Sequence, residues 1–337
     1  SPKFPFKKNT KTVFYQLKRN NKCLVAMSGG KDSIVATELL KEQGFDITAF
    51  FTETQKKSDI VNKIIDISRT NSIKARRILD EKVFYQNQYN GHVPISAIYA
   101  FLSILYAVLY KYSYCVMANE YSSNFGNIKY KGEIINHQWS KSSEFENLFQ
   151  DYVKCFITPN INYFSLLRPF YEIRIAELFS KYKKYFSHFS SCNKNFIINP
   201  VKLREKNKSL WCGECPKCIF TFILLSAFLS KKELINIFKK NLYQEKKLMS
   251  LFNDILGFGK IKPFDCVGTF EESKAALYLA SKKFKNDLII KIFLPKIKKP
   301  ESLIKEVFKT NFSLNIPNQF RFSGMRNILI LGHGREG

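Results

Sequence analysis

The sequence predicts an α/β protein, in which a parallel sheet with a nucleotide-binding loop precedes a mainly helical region with a four-cysteine metal site. Three observations lead to this prediction. Short apolar runs alternate with helical segments between Lys22 and Ala118, a pattern typical of parallel sheets. A loop of small residues follows the first apolar run, and four cysteines lie close together between Cys192 and Cys218.

The strands of the predicted sheet are four apolar runs: Lys22–Met27, Ile47–Phe51, Ile73–Leu79 and Tyr114–Ala118. Apolar residues at helical spacing predict helices after Ser33, at Asp59–Ile67 and from Pro94 to about Tyr112. The stretch from Asn119 to about Phe164 is polar and predicts loops. Helical spacing recurs beyond it, at Glu172–Tyr185, Pro216–Leu229, Lys232–Phe238, Glu245–Leu256 and Glu271–Phe284.

These elements predict five segments along the chain. They are a short N-terminal segment at 1–22, the sheet domain at 23–150, the helical domain with the metal site at 151–285, a strand and linker at 286–325, and a final segment at 326–337. The strand of the fourth segment is Leu288–Leu294. The final segment predicts the start of another nucleotide-binding domain, because a new apolar strand runs into a glycine-rich turn.

Length and composition agree with a globular protein of roughly two domains. The 337 residues are 45% apolar and 24% charged, which excludes wholesale disorder, collagen and coiled coil. The longest apolar runs, Ala97–Tyr110 and Ile219–Leu229, fall short of the roughly 20 residues that cross a bilayer. No secretion signal opens the chain, so we expect a cytoplasmic protein without a membrane partner.

The cysteine cluster predicts a zinc site. Cys212, Cys215 and Cys218 follow one another at two-residue gaps, and Cys192 supplies a fourth ligand. Four thiolates suit one tetrahedral zinc and leave no open position, which indicates a structural role. Ordinary buried thiols and a redox pair are the alternatives. The isolated cysteines are interpreted as small core residues: Cys23, Cys115, Cys155 and Cys266.

The segment Ser28–Ser33 carries the strongest chemical signal. Its sequence S-G-G-K-D-S follows a buried strand and precedes a helix. Small residues let the backbone approach a phosphate closely, and the N–H groups at the start of the helix point toward the anion. The spacing differs from that of the G-x-x-x-x-G-K-[ST] mononucleotide loop. It resembles the PP-loop of the N-type ATP pyrophosphatases, which implies a HUP-like sheet domain and cleavage of ATP between its α and β phosphates.

Six longer strings carry a more specific resemblance. They are Ala118–Ser122, Asn136–Ser142, Phe164–Phe170, Ser191–Asn193, Trp211–Cys218 and Lys262–Gly268. Together with the loop, they resemble the bacterial UDP-N-acetylmuramoyl-L-alanyl-L-glutamate epimerases, in this order and over roughly residues 22–285. Deazaguanine nitrile synthases also have clustered cysteines near their C-terminal end, so a PP-loop tRNA- or deazaguanine-modifying enzyme is the alternative.

The resemblance implies a reaction in peptidoglycan precursor synthesis. ATP and Mg²⁺ adenylate the terminal L-Glu of the UDP-muramoyl dipeptide, its Cα is inverted to the D form, and AMP and pyrophosphate are released. The loop residues Ser28, Gly29, Gly30, Lys31, Asp32 and Ser33 would bind ATP, with Asp32 holding the metal or orienting the loop. The functional partner is the muramoyl–glutamate ligase that adds the L-Glu.

Four residues are candidates for proton transfer and substrate binding. Glu120 follows the fourth strand, where open α/β sheets place their ligands, and a dry site would raise its pKa toward that of a general base. His137 titrates in a suitable range, and its spacing from Lys141 would put both on one helix face. Lys141 and Arg168 are candidates to bind the diphosphate or the carboxylates of the substrate. The alternatives are a solvated loop carboxylate, a structural histidine and a surface salt bridge of Arg168.

The net charge of +26 is attributed to a solvated basic surface. The lysines are scattered in pairs along the whole chain, and frequent Lys, Asn, Ile, Phe and Tyr are typical of an AT-rich genome. We therefore do not expect a nucleic-acid partner. A tRNA-modifying enzyme is the alternative that the charge favours, and it would bind tRNA in a salt-sensitive way. A non-catalytic, metal-stabilised module predicts no ATP turnover.

Both ends of the chain resemble parts of larger proteins. The epimerase family usually has more chain before the loop, so we expect residues 1–22 to be the remnant of a truncated region. Met325–Gly337 resembles the first strand of a muramoyl–glutamate ligase. We therefore expect a fragment of an epimerase–ligase fusion, with residues 326–337 poorly packed against the rest. A strand that caps the main sheet is the alternative.

Overall fold

The computed structural model describes residues 20–54, 58–84, 93–197, 209–259 and 262–321. Seven strands lie in these ranges: β1 (Asn20–Ala26), β2 (Ile47–Glu53), β3 (Asn71–Arg76), β4 (Tyr112–Met117), β5 (Ile128–Tyr130), β6 (Glu133–Ile135) and β7 (Asn162–Ser165). Eleven α-helices accompany them: α1 (Lys31–Glu42), α2 (Asp59–Ser68), α3 (Ile95–Tyr110), α4 (Ser143–Phe156), α5 (Glu172–Phe179), α6 (Pro216–Ser226), α7 (Lys231–Phe238), α8 (Met249–Ile255), α9 (Phe270–Ala280), α10 (Leu288–Phe293) and α11 (Pro300–Val307).

Five of the strands form one parallel sheet in the order β3-β2-β1-β4-β7. β1 lies at its centre and pairs with β2 and β4, where Leu24 faces Thr48 on one side and Cys115 on the other. The central strands β1, β2 and β4 contain apolar runs, as expected for strands with helices on both faces of the sheet. The carboxyl end of β1 is therefore flanked by those of β2 and β4, and the predicted α/β class is confirmed.

The helical region shares its core with the sheet. Buried apolar side chains run without a break from Val25 of β1 through α1 and α5 to Phe222 of α6 and Leu277 of α9. α6 is buried along almost its whole length, so it is the central helix of this region. A second core lies under α3 and α4 and contains Phe149.

Several predicted elements differ in the structure. The strand expected at Leu288–Leu294 is wrong, because the segment forms α10, whose Ile289, Ile290 and Phe293 are buried against the core. A short apolar run fits either a strand or a buried helix, so the pattern could not decide between them. The stretch expected to be loop-rich contains α4 and β7, and β7 extends the sheet past residue 150.

The expected linker at 286–325 is also wrong over its described part. It contains α11, and Phe320 is fully buried. The Phe320 ring stacks on Phe45 at 4.3 Å and meets Tyr114 and Phe164 at 4.8 and 4.9 Å between ring centroids. This segment therefore anchors the chain beside the sheet.

Two expectations concern residues that the structure does not describe. Residues 1–19, which make up most of the expected N-terminal remnant, and residues 326–337, the expected start of a ligase, both lie outside the described ranges. In the ranges that are described, every helix is too short or too polar to span a bilayer.

Candidate active site

The predicted phosphate loop connects β1 to α1 at the centre of the sheet. Gly29 adopts a φ of +80°, and Gly30 forms the N-cap of α1. The Ser33 hydroxyl accepts a hydrogen bond from the Ser28 N–H at 3.2 Å and donates one to the Gly30 carbonyl at 3.0 Å. The loop is therefore closed by its own side chain, and it presents the exposed Ser28 and the half-buried Asp32 at the start of a helix, where anions are stabilised.

Substitution of Gly29 tests the backbone conformation and the close packing of the loop. A Cβ built on it would lie 2.9 Å from Ile60 Cγ2, whereas a Cβ on Gly44, which has the same φ of +80°, meets nothing within 4 Å. Gly44→Ala carries only the left-handed backbone cost, about 1–2 kcal/mol. Gly29→Ala adds an overpacking cost of at least about 1 kcal/mol, so we expect it to lower the free energy of unfolding further. Urea unfolding of both variants measures the difference, and equal losses would contradict the packing described here.

Lys31, one of the predicted ATP-binding residues, forms a buried ion pair. Its Nζ lies 2.5 Å from Asp32 Oδ1 and 2.5 Å from Glu172 Oε2 of α5. Burial alone would lower the pKa of Lys31, but the carboxylates of Asp32 and Glu172 outweigh it and raise the pKa. Glu172 was not singled out from the sequence. It ties the start of α1 to α5 and places a second carboxylate beside the loop.

A cavity of about 330 Å³ opens at the carboxyl ends of β1, β2 and β4. Ser28, Asp32 and Ser33 of the loop line it together with Glu120 and Lys141. This is the position at which open parallel sheets bind ligands. The structure therefore brings the predicted loop and two of the four predicted catalytic residues to one place.

Glu120 follows β4 as predicted and is only 5% exposed. Within the described ranges, no hydrogen bond reaches its carboxylate. Burial raises the pKa of Glu120 to about 7, with a further contribution from the Glu172 carboxylate. A solvated loop carboxylate is excluded, and Glu120 can exchange a proton near neutral pH.

Arg168 lies under the loop that carries these residues and does not point to the surface. It is 3% exposed and donates from Nη1 to the Glu120 carbonyl at 2.8 Å and from Nη2 to the Lys141 carbonyl at 2.7 Å. Nη2 also lies 2.8 Å from Glu146 Oε2 of α4, and Nη1 donates to the Ser123 hydroxyl at 2.9 Å. The surface salt bridge that was the alternative for Arg168 is excluded, because the ion pair is buried, and the guanidinium holds the backbone of Glu120 and Lys141. Binding of the substrate by Arg168 stays a prediction.

His137 and Lys141 lie in a turn and a short 3₁₀ helix (Trp139–Lys141), so they do not share a helix face as predicted. His137 follows the β5–β6 hairpin, and Asn127 precedes it. Asn127 Oδ1 lies 2.5 Å from His137 Nδ1, and its Nδ2 donates to the Pro263 carbonyl at 3.2 Å. The base of the hairpin is thereby joined to the segment 262–268, which carries Cys266.

Cys266 is half-buried and lies beside His137, with 4.0 Å between its Sγ and Nε2. Burial alone would lower the pKa of Lys141, but the nearby Cys266, Glu120, Glu172 and Asp32 outweigh it and raise the pKa. The interpretation of Cys266 as an isolated core residue is therefore wrong. Its partner His137 is 129 positions away, so no local pattern could reveal the contact.

The four clustered cysteines converge as predicted. The thiols of Cys192, Cys212, Cys215 and Cys218 all lie within 4.8 Å of one another. The Cys218 Sγ lies 3.5 Å from Cys215 Sγ and 3.7 Å from Cys212 Sγ, close to the roughly 3.8 Å edge of a tetrahedron with 2.3 Å zinc–sulfur bonds.

Backbone N–H groups around the cluster stabilise its sulfurs as thiolates. The N–H groups of Cys212 and Glu214 donate to the sulfurs of Cys192 and Cys212, each at 3.4 Å. All eight cysteines of the chain are free, so the cluster contains no disulfide. Its donor set suits a tetrahedral metal ion.

Two family models match the chain. The MurL N-terminal domain matches residues 2–166, and the MurL C-terminal domain matches residues 188–305. The first match covers the sheet, the loop and Glu120. The second covers the cysteine cluster and Cys266.

Curated relatives agree with these matches. Proteins named UDP-N-acetyl-alpha-D-muramoyl-L-alanyl-L-glutamate epimerase from Xanthomonas oryzae pv. oryzae, a Micromonospora species and Salinispora tropica are 38%, 35% and 34% identical to the chain. The alignments cover 80%, 77% and 76% of this chain but 60%, 57% and 55% of the relatives. The chain therefore spans less than two thirds of the length of these relatives.

Proposed function

The chain belongs to the MurL family of UDP-N-acetylmuramoyl-L-alanyl-L-glutamate epimerases, and we propose that it inverts the terminal L-Glu of the UDP-muramoyl dipeptide to D-Glu. One observation carries the proposal: the loop and the buried carboxyl of Glu120 line the same cavity. A nucleotide-activating loop and an acid–base group are the two parts that this reaction needs. In this proposal the enzyme is cytoplasmic, like its precursor substrate.

ATP is proposed as the second substrate, held as in the PP-loop enzymes of HUP-like fold. The strand order, the S-G-G-K-D-S sequence and the start of α1 behind it support this assignment. Ser28, the backbone of Gly29 and Gly30, and Ser33 would bind phosphate oxygens. Lys31 contributes through its ion pair with Glu172, which fixes the loop, and its positive charge would help to bind the phosphates.

Adenylation explains why an epimerase would use ATP. The Cα proton of glutamate is very weakly acidic, because the neighbouring carboxylate already carries a negative charge. Joining that carboxylate to AMP removes the charge and makes an enolate accessible. Reprotonation on the other face inverts Cα, and hydrolysis releases AMP.

Each predicted catalytic residue has a place in this scheme. Glu120 exchanges the Cα proton, because its raised pKa leaves it divided between two protonation states near neutral pH. Lys141, which lines the cavity, binds a substrate carboxylate or phosphate. Arg168 positions the backbone of both. His137 contacts Cys266, whose charge acts on Lys141.

Two metals belong to the proposal. Asp32 at the mouth of the loop would hold Mg²⁺, which neutralises phosphate charge when bound. Cys192, Cys212, Cys215 and Cys218 would hold a structural Zn²⁺.

The functional partner in this scheme is a muramoyl–glutamate ligase, because it makes the substrate. Fusion of the two enzymes in one longer chain is part of the proposal. Neither a membrane nor a nucleic acid is needed as a partner.

Incubating the protein with ATP, Mg²⁺ and UDP-N-acetylmuramoyl-L-Ala-L-Glu tests the proposal. We expect AMP, pyrophosphate and the D-Glu product to appear together. Asp32→Asn should lower AMP release by about 100-fold, because it removes a charge that acts on the phosphates. Asp46→Asn is the matched control, since Asp46 precedes β2 at the opposite end of the sheet and forms an ion pair with the exposed Lys22.

Other outcomes would overturn the assignment. ADP as product would exclude cleavage between the α and β phosphates. AMP release that requires tRNA or a deazaguanine in place of the dipeptide would favour the modifying enzymes of the same class. If Asp32→Asn releases AMP at the wild-type rate, the loop is only a structural turn.

A further inference from the structure

Inversion at a carbon atom requires a proton acceptor on one face and a proton donor on the other. Glu120 is one such group in the proposed function. A second must reach the same Cα from a different part of the chain. Among the described residues, the half-buried thiol of Cys266 has the surroundings that this role requires.

Three side chains, Asn127, His137 and Lys141, act on the Cys266 thiol. Asn127 Oδ1 accepts from His137 Nδ1, so His137 Nε2, which faces Cys266 Sγ at 4.0 Å, can take the thiol proton and then donate to the thiolate. An acceptor nitrogen fixed by a third group is the arrangement that activates a thiol. His137, which contacts the thiol, lies four residues before the cavity-lining Lys141, and the charge of Lys141 acts on both Cys266 and Glu120.

We propose that Cys266 and Glu120 are the two proton-transfer groups of the epimerisation, one on each face of the glutamyl Cα, with His137 and Asn127 as positioning residues for the thiol. The inference rests on the proposed function and deepens it. One group takes the Cα proton, so that the C–H bond breaks and its electron pair enters the enolate of the acyl-adenylate. The other group gives its proton to the opposite face, and a new C–H bond forms.

The charges around the thiol support this role. Burial alone would raise the pKa of Cys266, but the Lys141 ammonium and the hydrogen bond with His137 outweigh it and lower the pKa to about 6. The positive charge of Lys217 of α6 acts on the pKa of the thiol in the same direction. With the pKa of Glu120 at about 7, a thiolate and a carboxylic acid coexist near neutral pH, which is the pairing that a two-base reaction needs.

Deuterium incorporation tests the pair. In D₂O with ATP and Mg²⁺, the L-Glu and D-Glu dipeptide substrates are supplied separately. Wild-type protein should invert each and place one deuterium on Cα. Cys266→Ala should invert at least about 100-fold more slowly, while it still releases AMP and exchanges the Cα proton of one epimer without inversion. Glu120→Gln should show the opposite epimer preference.

Control variants separate chemistry from folding. Cys266→Ser keeps the shape of the side chain but not its acidity, and it should show the same one-sided exchange as Cys266→Ala. Cys155→Ala, at an exposed position of α4, should invert at the wild-type rate. Three results would overturn the proposal. They are inversion at the wild-type rate in Cys266→Ala, exchange of both epimers or of neither, and an acyl adduct on Cys266 in mass spectra.

A second measurement does not depend on turnover. The rate at which iodoacetamide alkylates Cys266, followed by peptide mass spectrometry, should rise with pH around a midpoint of about 6. His137→Ala and Lys141→Met should move the midpoint up toward the ordinary value of about 8.5, which Cys155 serves to calibrate. A wild-type protein that releases no AMP would refute the proposed function, whereas an ordinary midpoint at Cys266 would refute the thiolate.

Discussion

Replacing Arg168 with Met is expected to lower the free energy of unfolding by about 3–5 kcal/mol, as when one partner of a buried ion pair is removed. The substitution leaves the Glu146 carboxylate, which is 1% exposed, buried without its cation. It also takes a donor from the carbonyls of Glu120 and Lys141, which are then left to share the single hydroxyl proton of Ser123. A buried acceptor without a donor costs about 1–3 kcal/mol.

Two control variants separate these contributions. Arg168→Met with Glu146→Leu removes both charges, and replacing both partners by apolar groups is often nearly neutral for the pair itself. The double variant should therefore recover part of the loss, and the remainder reports the stranded loop acceptors. Lys183→Met breaks a surface pair whose lysine is 71% exposed, and it should cost less than about 1 kcal/mol.

Urea unfolding followed by the fluorescence of the buried Trp211 measures all three variants. A loss in Arg168→Met no larger than that in Lys183→Met would contradict the buried pair. Full recovery in the double variant would show that the loop carbonyls find other donors. Either result would remove the argument that Arg168 positions Glu120 and Lys141.

The parallel sheet could be predicted because its central strands are buried on both faces. β1, β2 and β4 therefore contain runs rich in apolar residues, and the helices between them show their own spacing. β7 was missed because its four residues include Asn162 and Ser165, so no apolar run marks it. α10 was assigned as a strand because six residues are too few to separate the two periodicities.

Part of the candidate site could be predicted from local sequence patterns, and the rest depends on contacts between residues far apart in the chain. The loop and the three cysteines of Cys212–Cys218 are each contiguous in the chain, so their spacing alone predicts their chemistry. The partner of Arg168 is 22 positions away, and that of Lys31 is 141 positions away. Such pairs depend on how α4 and α5 pack on the sheet, which no local pattern contains.

The cysteine cluster supports the largest expected effect on folding. Cys215→Ser should remove one zinc per chain and lower the free energy of unfolding by about 5 kcal/mol, because metal affinity in a closed site is folding free energy. For a chain of this size, that loss corresponds to a melting temperature lower by about 7 °C. The effect is large because the cluster ends at α6, whose Cys218, Ile219 and Phe220 belong to the central core.

Metal analysis and thermal melting of freshly purified, reduced protein measure the two effects together. Cys155→Ser is the matched control, because this exposed thiol lies on α4, away from the cluster, and it should keep both the zinc and the wild-type melting temperature. Wild-type protein without a tetrahedral metal, or a Cys215→Ser variant that melts like the control, would contradict the assignment. Loss of zinc should also slow epimerisation through α6, because Lys217 in its first turn acts on the charge of Cys266. The zinc site and the proposed proton-transfer pair are thus linked through one helix.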